Sequence, residues 1–288
     1  MYDIARMLVL VDDSNHARNT IGLAAATAAR FDARLIAVYT VSPFAGTYLT
    51  PEISAAVVEI AREQFALGSE RTRQLVEEVA RETGHAIDLI DPDGIPQVDV
   101  IQRCRYADLV VVGQRDPGEG PRPRSNLSTR LLLTAGRPLL FMPYASASMQ
   151  CGRRILVAWS DTRESARALH DALPWMKRAE SVEIVAIRPA DTDVDASLDS
   201  VLELLDSHGI AANASQHAGP SPSITERIIA PASVDAAVAE MLLSLAADHR
   251  ADLMVMGGYG HSRAVEFVLG GVTRTVLQSM TVPVLMSH

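Results

Sequence analysis

The chain has few of the features that mark secreted or membrane-spanning proteins. It contains only two cysteines, Cys104 and Cys151, which form no C-x-x-C pair. This pattern favours a reducing compartment over a disulfide framework, a redox site or a metal site. The apolar stretch Met7–Val11 is too short for a signal peptide, and no later run approaches the ~18 apolar residues of a membrane span. We therefore expect a cytoplasmic protein with no membrane partner and no structural metal.

Acidic residues outnumber basic ones, and the net charge is −9. Binding to a nucleic-acid phosphate backbone needs clustered Lys and Arg. The one compact basic cluster, Arg115–Arg130, is interrupted by three prolines and is typical of a loop. No nucleic-acid partner is therefore expected. The chain has no G-x-x-x-x-G-K-[ST] loop and no H-E-x-x-H helix, which argues against P-loop hydrolysis and against that kind of metal site.

Three short segments of the first half recur in the second half in the same order. They are LVLVDDS at 8–14 with LVAWSDT at 156–162, ADLVVVG at 107–113 with ADLMVMG at 251–257, and RPLLFM at 137–142 with TVPVLM at 281–286. The offsets, 156−8=148, 251−107=144 and 283−138=145, agree within a few residues. Matched landmarks in one order indicate a tandem duplication. We predict domains at 1–145 and 152–288.

Within each half, uninterrupted runs of Val, Ile, Leu and Met alternate with amphipathic segments. Continuous apolar runs indicate strands that are covered on both faces. Strands that alternate with helices indicate an α/β fold with a parallel, doubly wound sheet. The predicted strands are Arg6–Val11, Arg34–Val41, Ala86–Ile90, Asp108–Val112 and Leu139–Met142, then Ile155–Trp159, Val182–Ile187, Ala211–Gln216, Asp252–Met256 and Val282–Met286. Ligands bind such sheets where the strand order reverses, so the loops after strands 1 and 4 of each half are the places to search.

A glycine-rich loop follows the fourth strand of the second half. It reads GGYGHSR over residues 257–263, and Gly270, Gly271 and Thr273 come next. Glycine lets the backbone turn sharply and approach a ligand closely. The helix that begins near Gly270 could hold a phosphate at its N-terminus. The alternative is a tight turn in which the glycines serve close packing.

The spacing G-x-x-G-x9-G over Gly257, Gly260 and Gly270, together with the strand landmarks of both halves, resembles the universal stress protein family. The resemblance implies two tandem flavodoxin-like domains, of the adenine nucleotide alpha hydrolase-like type, that form a pseudo-twofold pair. It also implies an intramolecular pseudo-dimer that can associate into homo-oligomers. Some members bind ATP and others do not. In the binding members the three glycines line the phosphates, and these roles carry over to the same three residues here.

Two positions depart from the family pattern. Gly271 stands where Ser or Thr follows the third glycine, and Thr273 is either a displaced hydroxyl or a plain helix residue. Ser160 stands in the register of an Asp at the end of strand 1. Asp161 either takes over that role or, as Thr162 could, caps the following helix.

The candidate nucleotide-binding residues lie at the ends of strands 1, 2 and 4 of the second half and in the glycine-rich loop. Trp159 could stack on a base or simply pack in the core. His261 beside Ser262 is interpreted as a phosphate contact or as solvent-exposed, not as a catalytic pair. No residue is predicted to be catalytic. The candidates are Trp159, Ser160, Asp161, Ile187, Met256, Gly257, Gly260, His261, Ser262, Arg263, Gly270, Gly271 and Thr273.

The first half keeps the strand 1 residue of the family pattern but lacks most of the glycine motif. Asp12 stands in the strand 1 register, but the chain after ADLVVVG has lost the second and third glycines, and prolines at 117, 121 and 123 have no N–H to hold a phosphate. We expect at most one nucleotide per chain, bound by the second half. The sequence predicts a stress-response binding and signalling protein with an unidentified protein partner and ATP or a related adenine nucleotide as ligand. A ligand-free interaction scaffold is the alternative, and at most weak ATPase activity is expected.

Overall fold

The computed structural model describes residues 3–12, 14–40, 55–90, 97–116, 118, 127–146, 148–189, 196–220, 231–259 and 271–288. The chain divides into two compact units, Met1–Gln150 and Cys151–His288. Each unit is an α/β domain built on a parallel sheet, so the predicted pair of tandem doubly wound domains is confirmed. All ten predicted strands are present among the described residues, and their ends differ from the prediction by at most three residues.

The first unit holds five strands within the described residues, in the order β3-β2-β1-β4-β5. All of its strand pairs are parallel. The strands are β1 Arg6–Val11, β2 Arg34–Tyr39, β3 Ile87–Ile90, β4 Leu109–Gly113 and β5 Leu139–Met142. The helices are α1 Ala17–Phe31, α2 Ala55–Thr83, α3 Gln97–Cys104 and α4 Leu127–Thr134.

The second unit repeats this arrangement, with the order β8-β7-β6-β9-β10 and parallel pairing throughout its described strands. Its strands are β6 Arg154–Trp159, β7 Ser181–Pro189, β8 Asn213–Gly219, β9 Leu253–Gly257 and β10 Val284–Ser287. Its helices are α5 Arg163–Asp171, α6 Leu173–Met176, α7 Ser197–Ser207, α8 Pro231–Asp248 and α9 Gly271–Ser279. The strand order reverses between β6 and β9, which defines the switch point of this sheet.

The central strands are buried on both faces, which explains why their sequences show no polar alternation. Residues 7–11 of β1 and residues 253–256 of β9 are all buried. Helix α1 packs a row of small and branched side chains against the first sheet, among them Ile21, Leu23 and Ala24. In the part of the chain that is described, no helix combines the length and the apolar character needed to cross a membrane.

An aspartate just before the fourth strand anchors the start of the first strand in both units. Asp108 Oδ2 accepts the N–H groups of residues 5 and 6 at 3.0 and 2.9 Å. Asp252 accepts the N–H groups of residues 152, 153 and 154 at 2.9, 3.2 and 2.9 Å. A carboxylate in this position satisfies backbone donors that would otherwise lack a partner. The Ala-Asp pair that opens the repeated ADL segments therefore has a structural function.

Candidate functional site

A cavity of about 300 Å³ opens in the second unit at the carboxyl ends of β6, β7 and β9. It lies at the switch point of this sheet, where ligands of doubly wound proteins bind. The start of α5, helix α8 and the first turn of α9 also line it. Its apolar lining consists of Ala158, Trp159, Val185, Ile187, Val238, Leu242, Met256 and Val272.

Trp159, the last residue of β6, is held rigidly at the edge of the cavity. Its side chain is largely buried, with a relative exposure of 8%. The indole Nε1–H donates to Ser197 Oγ at 2.7 Å. Because the polar atom of the ring is already satisfied, only apolar ring surface is offered to the cavity. The residue packs in the core and also lines the cavity, and its stacking on a base stays a prediction.

Ala158 provides part of the cavity's space. It pairs with Met256 across β6 and β9, as Leu10 pairs with Val112 across β1 and β4. The repeat therefore places a leucine in the first unit where the second has alanine, and Ala158 lines the cavity. The difference between Leu10 in LVLVDDS and Ala158 in LVAWSDT was visible in the sequence. Its effect on the cavity depends on which residues face position 158 in the folded chain.

The turn from β6 to α5 separates the roles of three polar residues. Thr162 is the N-cap of α5: its Oγ1 accepts the N–H of Ser165 at 3.2 Å, and Ser165 Oγ accepts the N–H of Thr162 at 3.0 Å. Asp161 is exposed and has φ 52°, so it forms the turn and is not among the cavity-lining residues. Ser160 lines the cavity, and its Oγ lies 3.3 Å from Thr162 Oγ1. Of the two N-cap candidates, Thr162 is the one that caps.

Gly257 borders the cavity, but a contact inside the protein already requires it to be glycine. A Cβ built on Gly257 would lie 2.6 Å from the backbone N of Ser165 and 2.7 Å from the carbonyl carbon of Glu164. These separations are too short for any side chain, so β9 can approach the first turn of α5 only through a glycine. Gly113 occupies the same register in the first unit, where its Cβ would meet Thr20 Oγ1 at 2.9 Å.

The beginning of the glycine-rich loop is tied to helix α9. Tyr259 has a left-handed backbone with φ 59°, and its N–H donates to Thr273 Oγ1 at 3.0 Å. Both residues are buried and both line the cavity. The hydroxyl oxygen of Thr273 therefore holds the loop to the helix, a role that neither sequence interpretation of this residue contained.

The N-terminus of α9 carries a carboxylate from another helix. Asp235 on α8 accepts the N–H of Gly271 through Oδ2 at 3.1 Å. A Cβ on Gly271 would come within 2.6 Å of Asp235 Cβ and 2.9 Å of its Cγ, so the aspartate packs directly on the glycine. The departure from Ser or Thr at this position has a physical reason, because a larger residue would displace Asp235.

Glu164 brings a second carboxylate to the cavity. Its side chain is mostly buried, and its Oε1 accepts from Arg163 Nη2 at 2.8 Å. Burial by itself raises the pKa of Glu164, but the hydrogen bond from its own backbone N–H, the Arg163 guanidinium and the charge of His288 outweigh this, and the pKa is lowered. Arg188 also lines the cavity. Within the described residues, no cluster of three or more His, Cys, Asp or Glu is arranged to hold a metal ion.

The structure brings most of the described candidate residues together. Trp159, Ser160, Ile187, Met256, Gly257, Gly271 and Thr273 all line the cavity. Gly260, His261, Ser262, Arg263 and Gly270 lie outside the described residues. Sequence reasoning did not select the lining residues Ala158, Thr162, Glu164, Val185, Arg188, Asp235, Val238, Leu242, Tyr259 and Val272. Apart from Ala158, most of these belong to helices or strands whose pattern is that of ordinary amphipathic or buried elements.

At the corresponding edge of the first unit, the described polar side chains bond to groups of the same unit. His16 Nε2 lies 3.1 Å from Asp116 Oδ2, and Asp116 Oδ1 accepts the N–H of Gly118 at 2.7 Å. The Gly118 N–H and then His16 lower the pKa of Asp116. Asp12 accepts the N–H of Ser14 at 3.0 Å in a turn of its own. The loss of nucleotide binding in this half stays a prediction.

Two doubly wound parallel-sheet domains in tandem, with a cavity at the switch point of the second, define a tandem α/β protein. The sequence profile of the universal stress protein family matches residues 3–141 and 152–288. The chain belongs to the universal stress protein family, with one copy of the domain in each half. A search of curated protein sequences finds no significant match.

Solved structures support the fold over the whole chain. A universal stress protein from Archaeoglobus fulgidus DSM 4304 has a TM-score of 0.70 and 17% identity, covering 98% of this chain and 95% of its own. A functionally unknown protein from Pseudomonas aeruginosa PAO1 has a TM-score of 0.56 and 15% identity, covering 99% and 92%. Similarity at these identities extends to the fold alone.

Proposed function

We propose that the second unit binds ATP or a related adenine nucleotide in this cavity, and that the protein acts as a stress-response binding and signalling protein. The observation that carries the proposal is the position of the cavity. It lies at the switch point of the sheet, and the loop that carries the G-x-x-G-x9-G motif starts at its rim, at Gly257. Binding of the nucleotide would change the surface around this loop, and a protein partner would recognise the changed surface.

The lining supports this choice of ligand. A volume of about 300 Å³ is at the lower end of the range for small-molecule sites. The apolar side chains of Val185, Ile187 and Leu242 suit a flat aromatic base, and Ser160 and Thr162 offer hydroxyls to a sugar. Catalytic turnover is not part of the proposal beyond a weak ATPase activity. The carboxylate of Glu164 is engaged with Arg163, which weakens it as a general base.

A ligand-free interaction scaffold is the second candidate, and Asp235 favours it. Its carboxylate already accepts the N–H of Gly271, one of the donors that a phosphate at the start of α9 would use. The packing of Gly257 on α5 likewise needs no ligand. In this case the glycines are required only for close packing, and the protein acts by binding other proteins at its surface.

Tryptophan fluorescence provides a direct test on the full chain. The sequence has two tryptophans, and both lie in the second unit. Trp159 lines the cavity, whereas Trp175 is buried away from it. We expect ATP or AMP to change the fluorescence of the wild type but not of Trp159→Phe, with calorimetry as a label-free measure of binding for both proteins.

Cavity-filling variants separate binding in the cavity from binding elsewhere. Ala158→Leu copies the leucine that the first unit has at this register, and Val238→Phe fills the space from the side of α8. We expect both to abolish nucleotide binding while the thermal midpoint stays near that of the wild type. Ala247→Leu is the matched control, because it adds the same atoms on the exposed face of α8. If no adenine nucleotide binds the wild type below millimolar concentration, the interaction scaffold becomes the preferred function.

A further inference from the structure

We propose that the cavity selects an adenine nucleotide of low charge, a monophosphate in preference to a triphosphate, and that Asp235 sets this preference. The inference rests on the proposed function, because it refines the ligand of the same site. It starts from the carboxylate that Asp235 places on the N–H of Gly271, a residue that lines the cavity and directly follows the third glycine of the motif.

The carboxylate is built into the site. Asp235 fills the space beside Gly271 so completely that a single added carbon would collide with its Cβ and Cγ. Asp235 Oδ2 thus occupies a backbone donor and the positive end of the α9 dipole, which are the two features that attract a phosphate to a helix N-terminus. A phosphate that approached the same donor would have to displace the carboxylate or lie against it.

The other charged residues of the described cavity lining are Glu164 and Arg188. Glu164 lines the cavity, and its lowered pKa keeps it ionised at neutral pH. Among the described lining residues, Arg188 is the basic one. Glu164 is paired with the Arg163 guanidinium at 2.8 Å, so the repulsion of a phosphate at the Gly271 N–H comes from Asp235. Each further phosphate adds repulsion, whereas the apolar surface around Ile187 and Leu242 contacts the base equally in every adenine ligand.

The Asp235→Asn substitution tests the negative charge of Asp235 separately from the size of its side chain. The substitution keeps the size of the side chain, and the amide oxygen can still accept the Gly271 N–H. Asp248→Asn is the matched control, since Asp248 is an exposed residue at the other end of the same helix. Asp235→Ala is a second variant that removes the carboxylate altogether, and thermal unfolding shows whether each variant keeps its fold.

The experiment measures the affinities of adenosine, AMP and ATP for the full-length wild type and the three variants by calorimetry, with and without Mg²⁺. We expect the wild type to bind AMP at least as tightly as ATP. Asp235→Asn and Asp235→Ala should each raise the affinity for ATP about five- to tenfold, the order expected for removing one nearby like charge, with a smaller gain for AMP and none for adenosine. Asp248→Asn should leave all three affinities unchanged.

Two outcomes overturn the inference, and they differ in what they say about the site. If ATP binds the wild type more tightly than AMP and the Asp235 variants do not bind ATP more tightly, the proposed function stands and the charge preference is wrong. The charge preference is also wrong if Asp235→Asn loses ATP affinity only when Mg²⁺ is present. That result would make Asp235 a ligand of the metal ion that accompanies the nucleotide. If neither the wild type nor any variant binds an adenine ligand, the inference and the proposed function both fail.

Discussion

Gly257→Ala should destabilise the second unit through a collision that involves only protein atoms. The added Cβ would lie 2.6 Å from the backbone N of Ser165 and 2.7 Å from the carbonyl carbon of Glu164. These atoms belong to the first turn of α5, which Thr162 and Ser165 cap reciprocally. The strand can accommodate the methyl group only if the whole turn moves away from β9.

The size of the effect follows from the kind of atom that must move. Overpacking of this type costs about 1–3 kcal/mol. Alanine also restricts the unfolded chain and recovers about 0.4–1 kcal/mol where its backbone conformation is acceptable. Because backbone atoms must move, the upper part of the overpacking range applies, about 2–3 kcal/mol, and we expect a net loss of about 1–2.6 kcal/mol. Gly113→Ala is the matched control: its Cβ would meet the side-chain Oγ1 of Thr20 at 2.9 Å, and a side chain can turn aside. Its loss should stay below about 1 kcal/mol.

Urea unfolding measures both variants. Tryptophan fluorescence reports on the second unit, because Trp159 and Trp175 are its two tryptophans and the sequence has no others. Circular dichroism follows the helices of both units. Unchanged midpoints for Gly257→Ala, or equal losses at both glycines, would refute the packing argument. Loss of nucleotide binding with full stability would instead assign Gly257 to the ligand.

Three further predictions concern the described residues around the site. Thr162→Ala removes the N-cap of α5 and should cost about 1 kcal/mol by fluorescence-monitored unfolding. Asp252→Ala removes the carboxylate that accepts three backbone N–H groups at the start of β6 and should cost about 1–2 kcal/mol, whereas exposed Asp248→Ala should cost little. The lowered pKa of Glu164 means that its stabilisation is present above its unfolded pKa of about 4.3 and is lost as pH falls further. Glu164→Gln should therefore flatten the acid side of the stability profile.

The sequence was sufficient for the fold because the signals that specify it are local. A strand buried on both faces needs an uninterrupted apolar run, and such runs recur in the same order in both halves. The repeat strengthened the prediction of each strand, because each landmark segment of one half was supported by its counterpart in the other half. Strand ends were less certain, as β8 shows: it continues to Gly219, beyond its predicted end at Gln216.

The candidate site was predicted in position but only partly in composition. The switch-point rule led to the ends of β6 and β9, where the cavity lies. The rule says nothing about α8, which contributes Asp235, Val238 and Leu242 to the lining. On sequence, Asp235 is one polar residue near the start of an amphipathic helix, and nothing marks it as different from its neighbours.

What the sequence determined by itself is therefore the duplication and the order of elements, while ligand binding by the glycine-rich loop stays a prediction. The tertiary structure decided why particular residues stand there. Gly257 fits the phosphate motif and Gly271 departs from it, yet each glycine is required by a partner far away in the chain, Glu164 with Ser165 in one case and Asp235 in the other. Glycine carries no side chain, so its pattern cannot reveal which group fills the space beside it. That depends on which elements pack together, and only the folded chain brings them into contact.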